Sequence, residues 1–320
     1  MADYGTVASD GAMGHRASLV RRPSARSRFE GAIKVILFGA AAVSVLTTLA
    51  IVVSLAGETI AFFGDVPLGD YLLGTKWTPQ FAGDQQSFGV LPLIWGTLYL
   101  TAIGLVVAIP VGILSGIYLA EFAPRRVRKV VKPVLEVLAG VPTIVFGYFA
   151  LTFFTPEVLK DALGLGVNQF NALSAGIILG VLVVPTIATL VEDSMSAVPQ
   201  SLREGSAGLG ANPVQTAIRV VFPAALSGVV AALVLGASRA IGETVIILIA
   251  GGQKANLSLN PYESYQSMAA FIAATARGDI PTGSIEYETI FVVGMTLFVL
   301  TLLLNVVSIR LVRKYRQVYE

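Results

Sequence analysis

Arg239 and Glu243 stand four residues apart in "ASRAIGETVIILIA" (residues 237–250), a run otherwise free of charge. Upstream, "RVVFPAALSGVVAALVLG" carries no charge between Arg219 and Arg239. A guanidinium offers a planar fork of donors that matches an oxyanion. A carboxylate one helical turn further on shares its face and can pair with it. Placing an arginine at the centre of a membrane costs about 2.5–3.5 kcal/mol on insertion scales, so such residues face a cavity or a partner. Two readings follow. The pair is a buried lock between helices, or Arg239 faces an aqueous path and attracts an anion. On the second reading Glu243 holds the fork when no anion is present and weakens binding, as a conduit requires. Arg239 and Glu243 are therefore the candidate substrate-pathway residues.

The elements that would position this pair are membrane helices. The chain has 320 residues, 55% of them hydrophobic and only 13% charged, against about 25% charged in soluble proteins. Mean hydropathy is +0.76. Apolar runs long enough to span a bilayer, about 20 residues, occur at 35–57, 92–120, 133–154, 172–191, 224–250 and 289–309. The first is too long for a signal-peptide core and reads as a retained anchor. Gly112 with Gly116 and Gly176 with Gly180 form small-xxx-small pairs that allow close helix approach. Pro110, Pro142 and Pro185 lie inside spans and are expected to bend them.

Basic residues set the orientation. Arg16, Arg21, Arg22, Arg26 and Arg28 precede the first span. Arg125, Arg126, Arg128, Lys129 and Lys132 follow the second, and Arg310, Arg313, Lys314 and Arg316 follow the sixth. The alternate loops are acidic instead, with Glu58, Asp65, Asp70, Asp84, Glu263, Asp279, Glu286 and Glu288. Six spans with both termini cytoplasmic are expected. The divisions are a disordered basic tail at 1–30, the first helix and external loop at 31–91, a transmembrane core at 92–312 with a cytoplasmic loop at 192–223, and a C-terminus at 313–320. The tail arginines could touch anionic lipid, or simply signal topology. Glu136 is expected at the cytoplasmic interface beside Lys132 or Arg128.

The chain has no cysteine and one histidine, His15 in the tail, which excludes disulfides, iron–sulfur clusters and thiolate or multi-histidine metal sites. No Walker A sequence occurs, so this chain is not expected to hydrolyse nucleotide. No catalytic residues, metal or cofactor are assigned, and no nucleic-acid partner is expected.

The loop "EDSMSAVPQSLREGSAGLGANPVQTAIRVVFP" is built to fold. Pro199 suits a helix start, Gly208 and Gly210 allow a sharp turn, and Asn212-Pro213 is an N-cap with proline at the first helical position. Leu202, Ala207 and Leu209, then Ile218, Val221 and Phe222, supply apolar surface. A compact helix–turn–helix at the cytoplasmic face suits docking of a soluble partner.

Glu204, Gly210, Val220, Phe222 and Pro223 match the spacing of the "EAA" loop of ABC importer permeases, with Gly205 and Ser206 replacing its alanines. The resemblance implies that Arg203, Glu204, Gly205, Ser206, Gly210 and Pro223 belong to an ATPase coupling loop. "SRAIGETVIILIAGG" resembles the corresponding helix of phosphate importer permeases. "FGVLPLIWGTLYLTAIGLVVAIPVGILSGIYLAEFAP" with "AGVPTIVFGYFAL" is similar to the PstC family of those permeases. It covers nearly the whole chain from about residue 30. It implies an all-α, type I importer fold in a bacterial inner membrane, a PstA-like second permease, a PstB-like ATPase dimer that binds the ATP, and an external phosphate-binding protein. A guanidinium fork fits any tetrahedral anion, so molybdate or phosphonate permeases are the near alternatives. An ion-coupled secondary transporter would be expected to carry more intramembrane acids and an inverted repeat, and the sequence contains no evident repeat.

Overall fold

Apolar runs can cross lipid as helices because every backbone N–H and C=O is then satisfied within its own segment. The computed structural model is built of helices accordingly, and it describes residues 25–81 and 83–315. His15, Arg16, Arg21, Arg22 and Arg316 lie outside the described residues. The end of the expected tail, residues 25–30, is helical.

The chain divides into two units, Met1–Val53 and Ser54–Glu320. Within the described residues the first is the opening part of α1 (Ala25–Asp65), where Val35, Ile36, Leu37 and Phe38 are all exposed, as side chains facing lipid would be. The second unit holds the remaining elements. After α2 (Leu68–Leu73), α3 (Leu91–Ile117) runs on through a π turn to Phe122. α4 (Arg125–Ala139) and α5 (Thr143–Phe149) follow, α5 continuing in wide π turns over Ala150–Ala162. α6 spans Ala172–Ser196 and α7 spans Gln200–Gly208. α8 (Pro213–Thr216) passes through a π turn into α9 (Phe222–Ala224), then come α10 (Leu226–Ile241), α11 (Met268–Thr275) and α12 (Ile285–Tyr315). Among the described residues the only strand-like pairing is a single antiparallel bridge, Trp77 to Phe88.

Four helices are long and apolar enough to cross a membrane, and two bent pairs raise the number to six if each pair is one span. The expected third span, 133–154, is not one rod. α4 meets the segment after it at 87°, and the break lies at Gly140–Val141–Pro142. Proline has no N–H to give and disfavours helical backbone in the residue before it. Pro110 and Pro185, by contrast, sit inside continuous helices. The expected fifth span, 224–250, breaks too: 213–224 meets α10 at 72°, and α10 stops at Ile241.

The core forms where α3 and α6 run side by side in the same direction. A Cβ at Gly180 would stand 2.6 Å from the Gly104 carbonyl oxygen, and Cβ atoms at Gly112 and Gly116 would stand 2.7 Å from the side chains of Ile187 and Val191. Only hydrogen fits there, so the two small-xxx-small pairs are the contact itself. Leu100, Leu179, Val183 and Ile187 fill the space around them. At the end where α3 begins, Phe62, Tyr71, Trp77 and Phe271 pack edge to face, with ring centres 5.6 Å apart for Phe62–Tyr71 and 5.1 Å for Trp77–Phe271. The Tyr71 hydroxyl sits 2.7 Å from Thr296 Oγ1, tying the segment before α3 to α12.

Candidate functional site

Arg239 lies in the last turn of α10. Gly242 ends the helix, its N–H reaching the Ser238 carbonyl at 3.3 Å. Glu243 then turns the other way. Its Oε1 accepts the N–H groups of Val245 at 3.0 Å and Ile246 at 3.2 Å, so it caps the next helical segment, residues 245–251. The i, i+4 pairing expected from the spacing does not form: Arg239 and Glu243 belong to two different helical segments, and no ion pair joins them among the described residues. The buried carboxylate, 9% exposed, satisfies backbone donors that a helix start leaves unpaired.

The guanidinium reaches across to other elements. Nη1 donates to Thr186 Oγ1 at 2.9 Å, and Nη2 donates to the Ala139 carbonyl at 3.4 Å. Thr186 is the fifteenth of the 25 residues of α6, about 21 Å along it at 1.5 Å per residue and so near its middle. The Ala139 carbonyl is free because the bend at 140–142 removes the Thr143 N–H that a continuous helix would bring to it. Arg239 thus sits where two broken spans meet α6. Helices interrupted at mid-membrane are a general way to expose backbone dipoles and side chains to an ion. The side chain is only partly buried, and two of its five N–H groups are engaged within the protein. The others can meet an oxyanion without displacing a carboxylate.

A second ionic cluster lies towards the end of α6. Glu192, its side chain 1% exposed, receives Arg128, and Lys132 Nζ at 2.6 Å; Lys132 also reaches Asp193 at 2.8 Å. These contacts bind α4 to α6. Glu136 lines one surface pocket with Arg128 and Lys132, as expected, but is exposed and makes no ion pair among the described residues; both cations pair with Glu192. Sequence reasoning missed Glu192 as a buried group because it opens the polar stretch read as a loop. Thr186 was missed as well, and a threonine following a proline in a span gives little signal.

The loop 192–223 folds as a helix–turn–helix. Pro199 precedes α7, and Gly210 adopts φ +85°, the left-handed backbone that favours glycine. Asn212 and Gln215 form a reciprocal capping box at α8, with Pro213 at its first turn. Ser206 and Thr216 hydroxyls meet at 2.9 Å inside the turn. Arg203 points inward to Glu121 at 2.8 Å. Glu204, Gly205, Gly210 and Pro223 are exposed, and Leu209 is 91% exposed. Between α7 and the α8 segment lies an open cleft of about 530 Å³, lined by Leu202, Gly205, Ser206, Leu209 and Arg219 among others. An apolar side chain held out beside an open cleft is suited to protein contact.

Residues 108–317 match the family described as the binding-protein-dependent transport system inner membrane component. The chain belongs to this family. The match takes in Arg239 and the whole helix–turn–helix. The chain is 32% identical over 274 residues to the probable ABC transporter permease protein YqgH of Bacillus subtilis, covering 84% of this chain and 86% of that one. It is 36% identical over 249 residues to the phosphate transport system permease protein PstC 1 of Mycobacterium tuberculosis, covering 71% and 73%. Among solved structures it resembles a chain of a bacterial ABC transporter that imports the acidic polysaccharide alginate, with TM-score 0.64, 16% identity and coverage of 91% and 100%. A chain of the inward-facing MetNI methionine ABC transporter gives TM-score 0.53, 21% identity and coverage of 72% and 95%. These likenesses establish the ABC importer permease fold and a multi-pass membrane protein.

Proposed function

We propose that this chain is one of two membrane subunits of an ATP-driven phosphate importer in a bacterial inner membrane, with both termini cytoplasmic. The observation that carries the reading is the half-buried Arg239 guanidinium, held near the middle of α6 by Thr186 and by the freed Ala139 carbonyl, with donors to spare. The phosphate assignment draws on relatives named as phosphate permeases, matched over 71% and 81% of the chain.

In this reading a phosphate-binding protein docks on the outer loops. A PstA-like permease completes the path, and a PstB-like ATPase dimer binds the ATP and receives α7 and the turn at Gly210. Closure of the ATPase on ATP moves the coupling loop and rocks the spans outward-open. Phosphate passes Arg239 and leaves inward after hydrolysis. Glu243 acts by capping the segment after the break, which fixes the direction in which α10 presents the arginine, and not as a counter-ion.

The test is co-purification of the chain with its neighbouring subunits, followed by ATPase and uptake assays in liposomes. The reading expects ATP hydrolysis stimulated by phosphate-loaded binding protein and ATP-dependent phosphate uptake. Uptake driven by an ion gradient without ATP, or preference for molybdate or phosphonate over phosphate, would contradict it.

A further inference from the structure

One guanidinium joins the ends of three helices. Arg203, in α7, donates through Nη2 to Glu121 Oε1 at 2.8 Å and through Nε to Glu121 Oε2 at 3.5 Å, the two-point geometry of an arginine fork on a carboxylate. Glu121 sits in the π turn that ends α3. The same guanidinium donates to the carbonyls of Met195 at 2.8 Å and Val198 at 2.5 Å. Met195 is in the last turn of α6, where a helix leaves its last carbonyls without internal partners and carries partial negative charge, and Val198 lies two residues past its end. Both side chains are shielded, at 18% and 11% exposure. The opposite surface of α7, with Glu204 and Gly205, is open.

α7 follows α6 through the short link Ala197–Pro199, and Ser206 meets Thr216 of the α8 segment at 2.9 Å. Neither attachment reaches α3. Arg203–Glu121 is the only polar side-chain link between α7 and the α3 segment among the described residues. It supplies the attachment to α3. Since α3 and α6 are locked to each other at Gly104, Gly112 and Gly180, attachment to both makes α7 a rigid extension of that pair. We infer that Arg203 and Glu121 form the strut that turns a displacement of α7 into movement of α3 and α6. Both are positioning residues, and neither needs to touch nucleotide or substrate. The inference rests on the proposed docking of α7 to an ATPase.

The test uses the assembled complex in liposomes. Glu121→Ala removes the α3 arm and leaves the bonds of Arg203 to α6. ATPase co-purification and unstimulated ATP hydrolysis should match the parent, while phosphate moved per ATP hydrolysed falls about tenfold, the factor that 1.4 kcal/mol carries. Glu121→Gln, which keeps an acceptor, should recover most of that ratio. The chain has no cysteine, so spin labels can be placed cleanly at Leu209→Cys and Leu114→Cys, both at exposed positions. The distance between them should be narrow and the same with and without ATP in the parent, and broad in Glu121→Ala. An unchanged transport-to-hydrolysis ratio with a narrow distance in Glu121→Ala would overturn the strut. So would loss of ATPase co-purification in that variant, which would mean that Glu121 only shapes the docking surface. Failure of the underlying functional reading shows elsewhere, as a parent chain with which no ATPase co-purifies.

Discussion

Replacing Arg239 by glutamine separates a pathway residue from a packing residue. In the fold Arg239 gives one good hydrogen bond, to Thr186 at 2.9 Å, and one long one, to Ala139 at 3.4 Å. A hydrogen bond from a charged group contributes about 1.5–3 kcal/mol, and less here because the side chain is partly exposed and has no buried carboxylate to abandon. Arg239→Gln should therefore assemble normally, with little change in thermal midpoint. The cost to an anion is larger. A unit charge about 4 Å from a unit charge is stabilised by about 4 kcal/mol at an effective dielectric constant of about 20, which converts to roughly a thousandfold. Uptake of radiolabelled phosphate into liposomes holding the complex should fall by about that factor. Arg239→Lys should lie between, keeping the charge and losing the fork. Uptake by Arg239→Gln within tenfold of the parent would refute the reasoning. So would a parallel loss of assembly, which would return Arg239 to a packing role.

Four further outcomes follow. Glu243→Gln keeps the acceptor for Val245 and Ile246 and should transport nearly as the parent does, whereas Glu243→Ala leaves two donors uncapped at a cost of about 1–3 kcal/mol; equal defects in uptake would favour a charge role. Glu192→Leu leaves Arg128 without a carboxylate and Lys132 with Asp193 alone, and because both cations reach solvent the loss is about 1–3 kcal/mol, below the 3–5 of a fully buried pair. The thermal midpoint of the purified complex should drop by several degrees. Gly180→Val forces α3 off α6 and should cost about 1–3 kcal/mol or more in overpacking, read as lower yield and midpoint. Gly210→Ala strains a backbone at φ +85° where space is open; the chain should still fold, with binding-protein stimulation of the ATPase reduced and unstimulated hydrolysis retained.

Local chemistry made the helix–turn–helix of residues 197–223 readable. Asn212-Pro213 caps α8, Pro199 starts α7, and Gly210 makes the turn, because each depends only on its own residue type and its immediate neighbours. Each glycine pair also marked a face for close approach, though which helix meets which appears only in the fold. The pairing of Arg239 with Glu243 was misread because i, i+4 geometry assumes an unbroken helix, and Gly242 ends it. The real neighbours, Thr186 and Ala139, lie 53 and 100 residues away along the chain. No local pattern reports such distances. Pro142 announced a bend, yet its consequence, a carbonyl freed to meet Arg239, depends on how α4 packs. Glu192 and Glu121 read as boundary residues because hydropathy registers where polarity begins, while their burial depends on partners supplied by α4 and α7.

Whether water and phosphate reach the guanidinium is open to direct measurement. Thr186→Cys, placed on an otherwise cysteine-free chain, sets a thiol beside Arg239 in the assembled complex. A membrane-impermeant anionic thiol reagent should label it when the complex is held outward-open, and inorganic phosphate should slow that labelling in proportion to its occupancy of Arg239. A thiol that stays unreactive, or one whose labelling is indifferent to phosphate, would contradict the account.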